Sequence, residues 1–167
     1  MIRGTGSARP GTGVRVVDIE TPEQAASALM LALKSGCDAV VHAMAVLDYV
    51  PAARRRGKIP SGGKVLNLKM VQTQKIIDMI KKSHPDIFLV GFKLESGASR
   101  VALLKNARDL IKRSRADIVV ANDLGSAKSN SGHKAYLVEK SGKVIAKATG
   151  KDAIAHKILD CISGIAR

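Results

Sequence analysis

Three short segments concentrate the side chains able to do chemistry. Ala43 to Lys58 holds Asp48, the run Arg54-Arg55-Arg56, and Lys58 ten residues beyond Asp48. Gly91-Phe92-Lys93-Leu94-Glu95 sets an aromatic ring beside a cation and a carboxylate, and Ala121-Asn122-Asp123 closes an apolar run on an amide and an acid. The chain carries 28 Lys and Arg against 14 Asp and Glu, a formal net charge of +14. Such a surplus favours anionic partners: nucleic acid, anionic lipid or phosphorylated small molecules. Other chemistries find no support. His42, His84, His133 and His156 lack ligand spacing, so no metal site held by protein side chains is expected, and no Ser/His/Asp or Cys/His constellation is suggested.

The elements around these segments follow from periodicity and punctuation. Residues 1–13 are rich in Gly, Ser and Pro and read as a loose N-terminal segment, leaving residues 14–167 as a single α/β domain. Val14 to Ile19 reads as a strand. Thr21-Pro22-Glu23-Gln24 combines an N-cap, a proline at N1 and a capping-box glutamine, predicting a helix to Ser35 with Gly36 behind it. Asp38 to His42 has the near-continuous apolar pattern of a strand buried on both faces. Ala43 to about Gly63 is irregular, and a stretch that long inside a compact domain is usually functional.

Val65 to Val71 alternates like a strand, and Thr73 is placed to cap a helix through Ser83 with Ile76, Ile77 and Ile80 on one face. Ile87 to Phe92 is a second buried strand. A helix from Ser99 to Ser114 is expected to bury Val101, Leu104, Ala107, Leu110 and Ile111, and Asp117 to Ala121 is a further strand. Leu124 to Gly132 reads as a surface loop. Ala135–Val138 and Val144–Ala148 flank Lys140-Ser141-Gly142-Lys143 as a hairpin, and Lys151 to Ile162 closes as an amphipathic helix. This order predicts a doubly wound, Rossmann-like, mostly parallel sheet with a C-terminal hairpin. In such sheets ligands bind beyond the carboxyl ends of the strands, where the three loaded segments fall.

Composition closes off several classes. With 167 residues, 46% hydrophobic and 25% charged, the chain supports one domain with a real core. No stretch approaches the roughly 18 apolar residues of a membrane helix. The start has no apolar leader, so a cytoplasmic location is expected. Aromatic residues are 2% with no Trp, which argues against a base-stacking platform. Cys37 and Cys161 lack metal or redox spacing and read as buried, reduced thiols.

Ala45-Val46-Leu47-Asp48-Tyr49, Lys58-Ile59, Leu68-Lys69-Met70, Gly91-Phe92-Lys93-Leu94-Glu95 and Ala116-Asp117-Ile118-Val119-Val120-Ala121-Asn122-Asp123 follow one another at fitting intervals. As an ordered set they resemble the phosphopantothenate–cysteine ligase family (phosphopantothenoylcysteine synthetase) of coenzyme A biosynthesis, over nearly the whole chain. The resemblance implies activation of the 4′-phosphopantothenate carboxylate by CTP or ATP with Mg²⁺, then capture of the acyl-nucleotidylate by the amine of cysteine. It also implies a homodimer; a nucleic-acid partner ranks lower because the basic residues are spread over helices and loops rather than interleaved with aromatics, and no membrane partner is expected.

By the same resemblance Lys58 belongs to a catalytic clamp. Asp48, Phe92 and the basic cluster Lys112, Arg113 and Arg115 serve the nucleotide, while Ala45, Glu95, Asn122 and Asp123 are further substrate-site candidates. Glu95 would orient a basic group or Mg²⁺. Two departures stand out. The family's first β-α-β, with its glycine-rich turn, has no counterpart, and neither has the fused flavin-binding half, so no flavin is expected in this chain. Thr73-Gln74-Lys75-Ile76 takes an archaeal-type form where many bacterial members read Asn-Pro-Asp-Ile. Two other readings stay open: a catalytically silent fragment that pairs with itself or with a full-length ligase, and a basic nucleic-acid-binding protein.

Overall fold

The computed structural model describes residues 1–53, 57–59, 62–127 and 133–164. The Arg54-Arg55-Arg56 run lies outside them.

Alternation along the central strands explains the layering. Three parallel strands, β3 (Ala39–His42), β6 (Phe88–Glu95) and β7 (Ile118–Asp123), adjoin an antiparallel pair, β8 (Lys134–Glu139) and β9 (Val144–Thr149), in the order β3-β6-β7-β8-β9. Leu89, Val119 and Ala121 point to one face, where they meet α1 (Pro22–Lys34), α2 (Ile76–Ser83) and α3 (Arg100–Ser114). Val90, Ile118, Val120 and Leu137 point to the other, beneath Ile154 and Ile158 of α5 (Lys151–Ser163). Side chains two apart share a face, so runs such as Ile118-Val119-Val120-Ala121 must be apolar throughout to satisfy both layers. The result is the expected α/β fold with a mostly parallel sheet.

Local signals hold at the starts of α1 and α3. Thr21 Oγ1 accepts from the Gln24 amide while Gln24 Oε1 accepts from the Thr21 amide, a complete capping box. Ser99 caps α3 through the Ala102 amide. Beneath the helices Lys81, with its side chain only 9% exposed, donates to the Pro85 carbonyl and pairs with Asp117 at 2.8 Å. Asp117 in turn accepts from the Leu89 amide, tying α2 to the sheet.

Several expectations are corrected. Residues 1–13 are not uniformly loose: β1 (Ile2–Gly4) pairs in parallel with β2 (Val17–Ile19), shorter than the expected strand. That pair forms a sheet of its own, apart from the central one. β3 is an edge strand rather than one buried on both faces, and Val41 is 47% exposed. The alternation from Val65 yields only Met70–Gln72 (β5), antiparallel to Tyr49–Pro51 (β4) inside the segment read as irregular.

Thr73 does not cap α2. Its hydroxyl donates to the Leu47 carbonyl, and Lys75 occupies the N-cap without a side-chain bond. Val101 is 79% exposed, because the buried face of α3 runs through Leu103, Leu104, Ala107, Leu110 and Ile111 instead. A short helix, α4 (Leu124–Ala127), begins the segment read as a loop. Cys37 is exposed and Cys161 half-buried, both free thiols, because each sits near an element end rather than under a layer. Among the described residues no helix is long and apolar enough to cross a membrane.

Candidate active site

Asp48 is brought to the sheet by an arm. β4 and β5 pair in antiparallel register from Tyr49↔Gln72 to Pro51↔Met70, closing the long segment between them. At the base of this ladder the Thr73 amide donates to the Asp48 carbonyl at 2.9 Å. Asp48 and Lys75 thereby meet across 27 positions of sequence and form an ion pair, Lys75 Nζ donating to Asp48 Oδ1. Lys75 is also the residue from which α2 starts.

The pair opens on a pocket of about 280 Å³ at the carboxyl ends of β3 and β6. His42, Ala45 and Asp48 line one side, Thr73 to Ile77 the floor, and Phe92, Lys93 and Arg113 the other side. Arg113 is held by Asp78 of α2 at 3.1 Å. An acid among three cations, next to an aromatic ring and the uncapped N-terminus of α2, matches a polyanion with a flat organic group. The Lys75 hydrogen bond and charge, reinforced by Lys93 and Arg113, hold the Asp48 carboxyl below the usual aspartate range. Asp48 therefore stays ionised. Burial likewise lowers the His42 imidazole below its usual range, which for a base favours the neutral form, and its buried Nε2 has no partner among the described residues.

A second cluster borders the first through Lys93, which pairs with Glu95 at 3.0 Å. That hydrogen bond, with one from Asn106 at 2.7 Å, lowers the Glu95 carboxyl, while the neighbouring Asp123 charge opposes the shift. Glu95 and Asp123 are in register at the ends of β6 and β7. Asp123 accepts from the Ala98 amide, and the Asn122 amide group contacts His133 Nε2 at 2.7 Å. Asn122 Oδ1 is buried without a hydrogen-bond partner among the described residues.

Of the residues singled out from sequence, Ala45, Asp48, Phe92 and Arg113 therefore share one pocket. Glu95, Asn122 and Asp123 form the adjoining rim. Lys58 does not line the pocket; it is exposed on the arm beyond the β4–β5 ladder. Lys112 is exposed near the end of α3, and Arg115 caps that helix in a left-handed conformation, donating to the Lys81 carbonyl at 3.3 Å. Because α3 runs back along the sheet, this end lies toward the strands' amino ends, and only Arg113 reaches the pocket. Lys75 and Lys93 were not singled out as site residues. Their signal was position alone, Lys93 at a strand end and Lys75 before an apolar helix.

The model of the DNA/pantothenate metabolism flavoprotein C-terminal domain matches residues 1–165. The chain belongs to that family. Within it, this family member is 34% identical over 157 residues to the coenzyme A biosynthesis bifunctional protein CoaBC of Thermococcus kodakarensis, covering 93% of the chain and 38% of that protein. It is 27% identical over 163 residues to the CoaBC protein of Mycobacterium bovis, covering 90% of the chain and again 38% of the relative. The chain thus spans about two fifths of the curated relatives it matches.

Among solved structures, the DNA/pantothenate metabolism flavoprotein from Streptococcus pneumoniae superposes with a TM-score of 0.85 at 26% identity, covering 98% of this chain and 80% of that one. The C-terminal domain of a CoaBC protein superposes with a TM-score of 0.75 at 18% identity, covering 99% and 72%, and shows the shared fold. The archaeal-like reading is consistent with the Thermococcus relative, and in this family member Thr73-Gln74-Lys75-Ile76 supplies the lysine that holds Asp48.

Proposed function

We propose that this chain carries out the ligation step of coenzyme A biosynthesis, joining 4′-phosphopantothenate to cysteine at the expense of CTP or ATP. One observation carries the reading: in a member of this family, Asp48, Lys75, Lys93 and Arg113 converge beside Phe92 at the strand ends. A carboxylate is a poor electrophile and needs a better leaving group. Its oxygen attacks the α-phosphorus of the nucleotide, forming an acyl–phosphate bond as the bond to pyrophosphate breaks. The cysteine amine then attacks the acyl carbon, the nucleoside monophosphate leaves, and the amide remains after loss of a proton.

The chain's contribution is positional and electrostatic. Lys75, Lys93 and Arg113 offset the phosphate charge that builds on the pentacovalent phosphorus. Phe92 gives the base an apolar wall, and Asp48, kept ionised, takes hydrogen bonds from the nucleotide. Lys58 completes the site when the arm that bears it folds over the acyl-nucleotidylate. Magnesium would enter with the nucleotide co-substrate, held by its phosphate oxygens.

Pyrophosphate release from CTP or ATP, assayed with phosphopantothenate, Mg²⁺ and cysteine, tests the proposal. Turnover that falls by about a hundredfold in Lys58→Ala, the size of a lost transition-state contact, is the expected result. A folded chain that releases no pyrophosphate with either nucleotide would overturn it.

A further inference from the structure

Lys75, Lys81, Lys93 and Arg113 each face a carboxylate. Arg100, Arg108, Lys143 and Lys147 face none among the described residues, yet both arginines are held in place. Arg100 lies over the Tyr136 ring, 5.2 Å from its centroid. Arg108 Nε donates to the Gly142 carbonyl at 2.9 Å, so its side chain crosses the tip of the β8–β9 hairpin. Glycine suits that crossing: residue 142 has a φ of 85°, and a β-carbon there would stand 3.4 Å from Arg108 Nε. A ring and a carbonyl fix a guanidinium without neutralising it, which leaves two ordered positive charges uncompensated. Strand alternation adds the lysines. Ala135, Leu137, Ala146 and Ala148 face α5, so Tyr136 and its cross-strand partner Lys147 face the α3 side. Lys143 follows Gly142 at the hairpin tip, and Glu139, the hairpin's single carboxylate, lies opposite Ile118 on the α5 side.

We infer that this crease between α3 and the hairpin binds the sugar–phosphate backbone of single-stranded nucleic acid, without sequence preference. The sequence spreads its basic residues over helices and loops, but folding gathers these four at the sheet edge opposite β3, away from the candidate active site. Arg100 and Arg108 stand eight residues apart on α3, about 12 Å, which is about the rise of three to four stacked nucleotides. On the hairpin side Ile145, Lys147 and Thr149 are exposed, so the surface is open along that length. Charge complementarity selects a polyanion, and the Arg100–Tyr136 stack selects among polyanions. A guanidinium laid on a ring offers its outer face to a base, a partner that a lipid headgroup or an acidic peptide lacks. One such stack is no platform for reading bases, so the phosphates carry the affinity. The inference does not rest on the nucleotide reading of the pocket.

Fluorescence anisotropy of a labelled oligothymidylate of about 12 nucleotides, titrated with the purified chain over a salt series, tests this. Four phosphate contacts on a single strand give a log–log salt slope of about −3, so affinity should fall about fiftyfold between about 50 and 200 mM salt. Lys143→Gln combined with Lys147→Gln should halve that slope and weaken binding at the lowest salt by at least about tenfold. Arg100→Gln, which leaves the hairpin intact, should act in the same direction. Lys82→Gln combined with Lys151→Gln removes the same charge away from the crease and should change neither quantity. Wild-type slope and affinity in the hairpin variant overturn the inference, as does an equal loss in the off-crease variant, which makes net charge alone the cause. Equal affinity for a duplex of the same length, or for inorganic polyphosphate, overturns it too. So does displacement of the oligonucleotide by CTP with Mg²⁺ at matched ionic strength, which would move the binding to the pocket.

Discussion

Asp48 and Lys75 show how a single contact sets the character of the pocket. The depressed Asp48 carboxyl is a product of the Lys75 hydrogen bond first and of the surrounding cations second. Replacing Lys75 by alanine should return the Asp48 titration, followed by side-chain carboxyl NMR, toward the usual aspartate value of about 4. The sign of the linkage follows. A carboxyl held low in the folded state contributes stability that is present above its unfolded value and lost as pH falls through its folded value. The intact chain therefore sheds that contribution below about pH 4, and the variant sheds only the smaller part that Lys93 and Arg113 sustain. On the proposed reading the same substitution removes one charge-assisted partner of the nucleotide and should raise its KM by about tenfold, read from initial rates.

Elements aim these side chains, and α2 is the one with least freedom. Its Ile77 packs over Gly91 of β6 so closely that a β-carbon there would stand 2.9 Å from Ile77 Cδ1. Gly91→Ala should push α2 outward and carry Lys75 with it. Overpacking that displaces a packed helix costs at least about 1 kcal/mol, a loss visible in urea unfolding. Nucleotide affinity should fall more than that small loss implies, because Lys75 is the first residue the displaced helix moves. Wild-type affinity in Gly91→Ala would show that α2 is not what positions the cation.

Across the molecule, burial is uneven. Val90, Val119, Val120 and Leu137 are fully buried in the central sheet, whereas in the β1–β2 pair only Ile19 is buried. Regions with few buried apolar contacts open at lower free energy. Native-state hydrogen exchange should therefore find the amides of Ile2–Gly4 and Val17–Ile19 exchanging well before those of β6 and β7. Uniform protection would contradict a two-part architecture. The same unevenness reaches the candidate site, since β1 borders a cavity of about 620 Å³ that shares His42 with the pocket.

The amino-acid order determined much of this by itself. Helix starts at Thr21 and Ser99, strands with apolar runs on both sides, and the C-terminal hairpin are local consequences of capping chemistry and two-residue alternation, so they are visible without coordinates. The strand-end rule also located Asp48 and Phe92 near one another in principle, while Arg113 was proposed only through the family resemblance. What tertiary structure alone decided was which cations join them. Lys75 reaches Asp48 only because the β4–β5 ladder closes a long excursion, and Arg115 is carried away because α3 runs back along the sheet. Val101 came out exposed for the same reason: helical periodicity defines a stripe, but which side of that stripe meets the sheet is fixed by packing against neighbours distant in sequence.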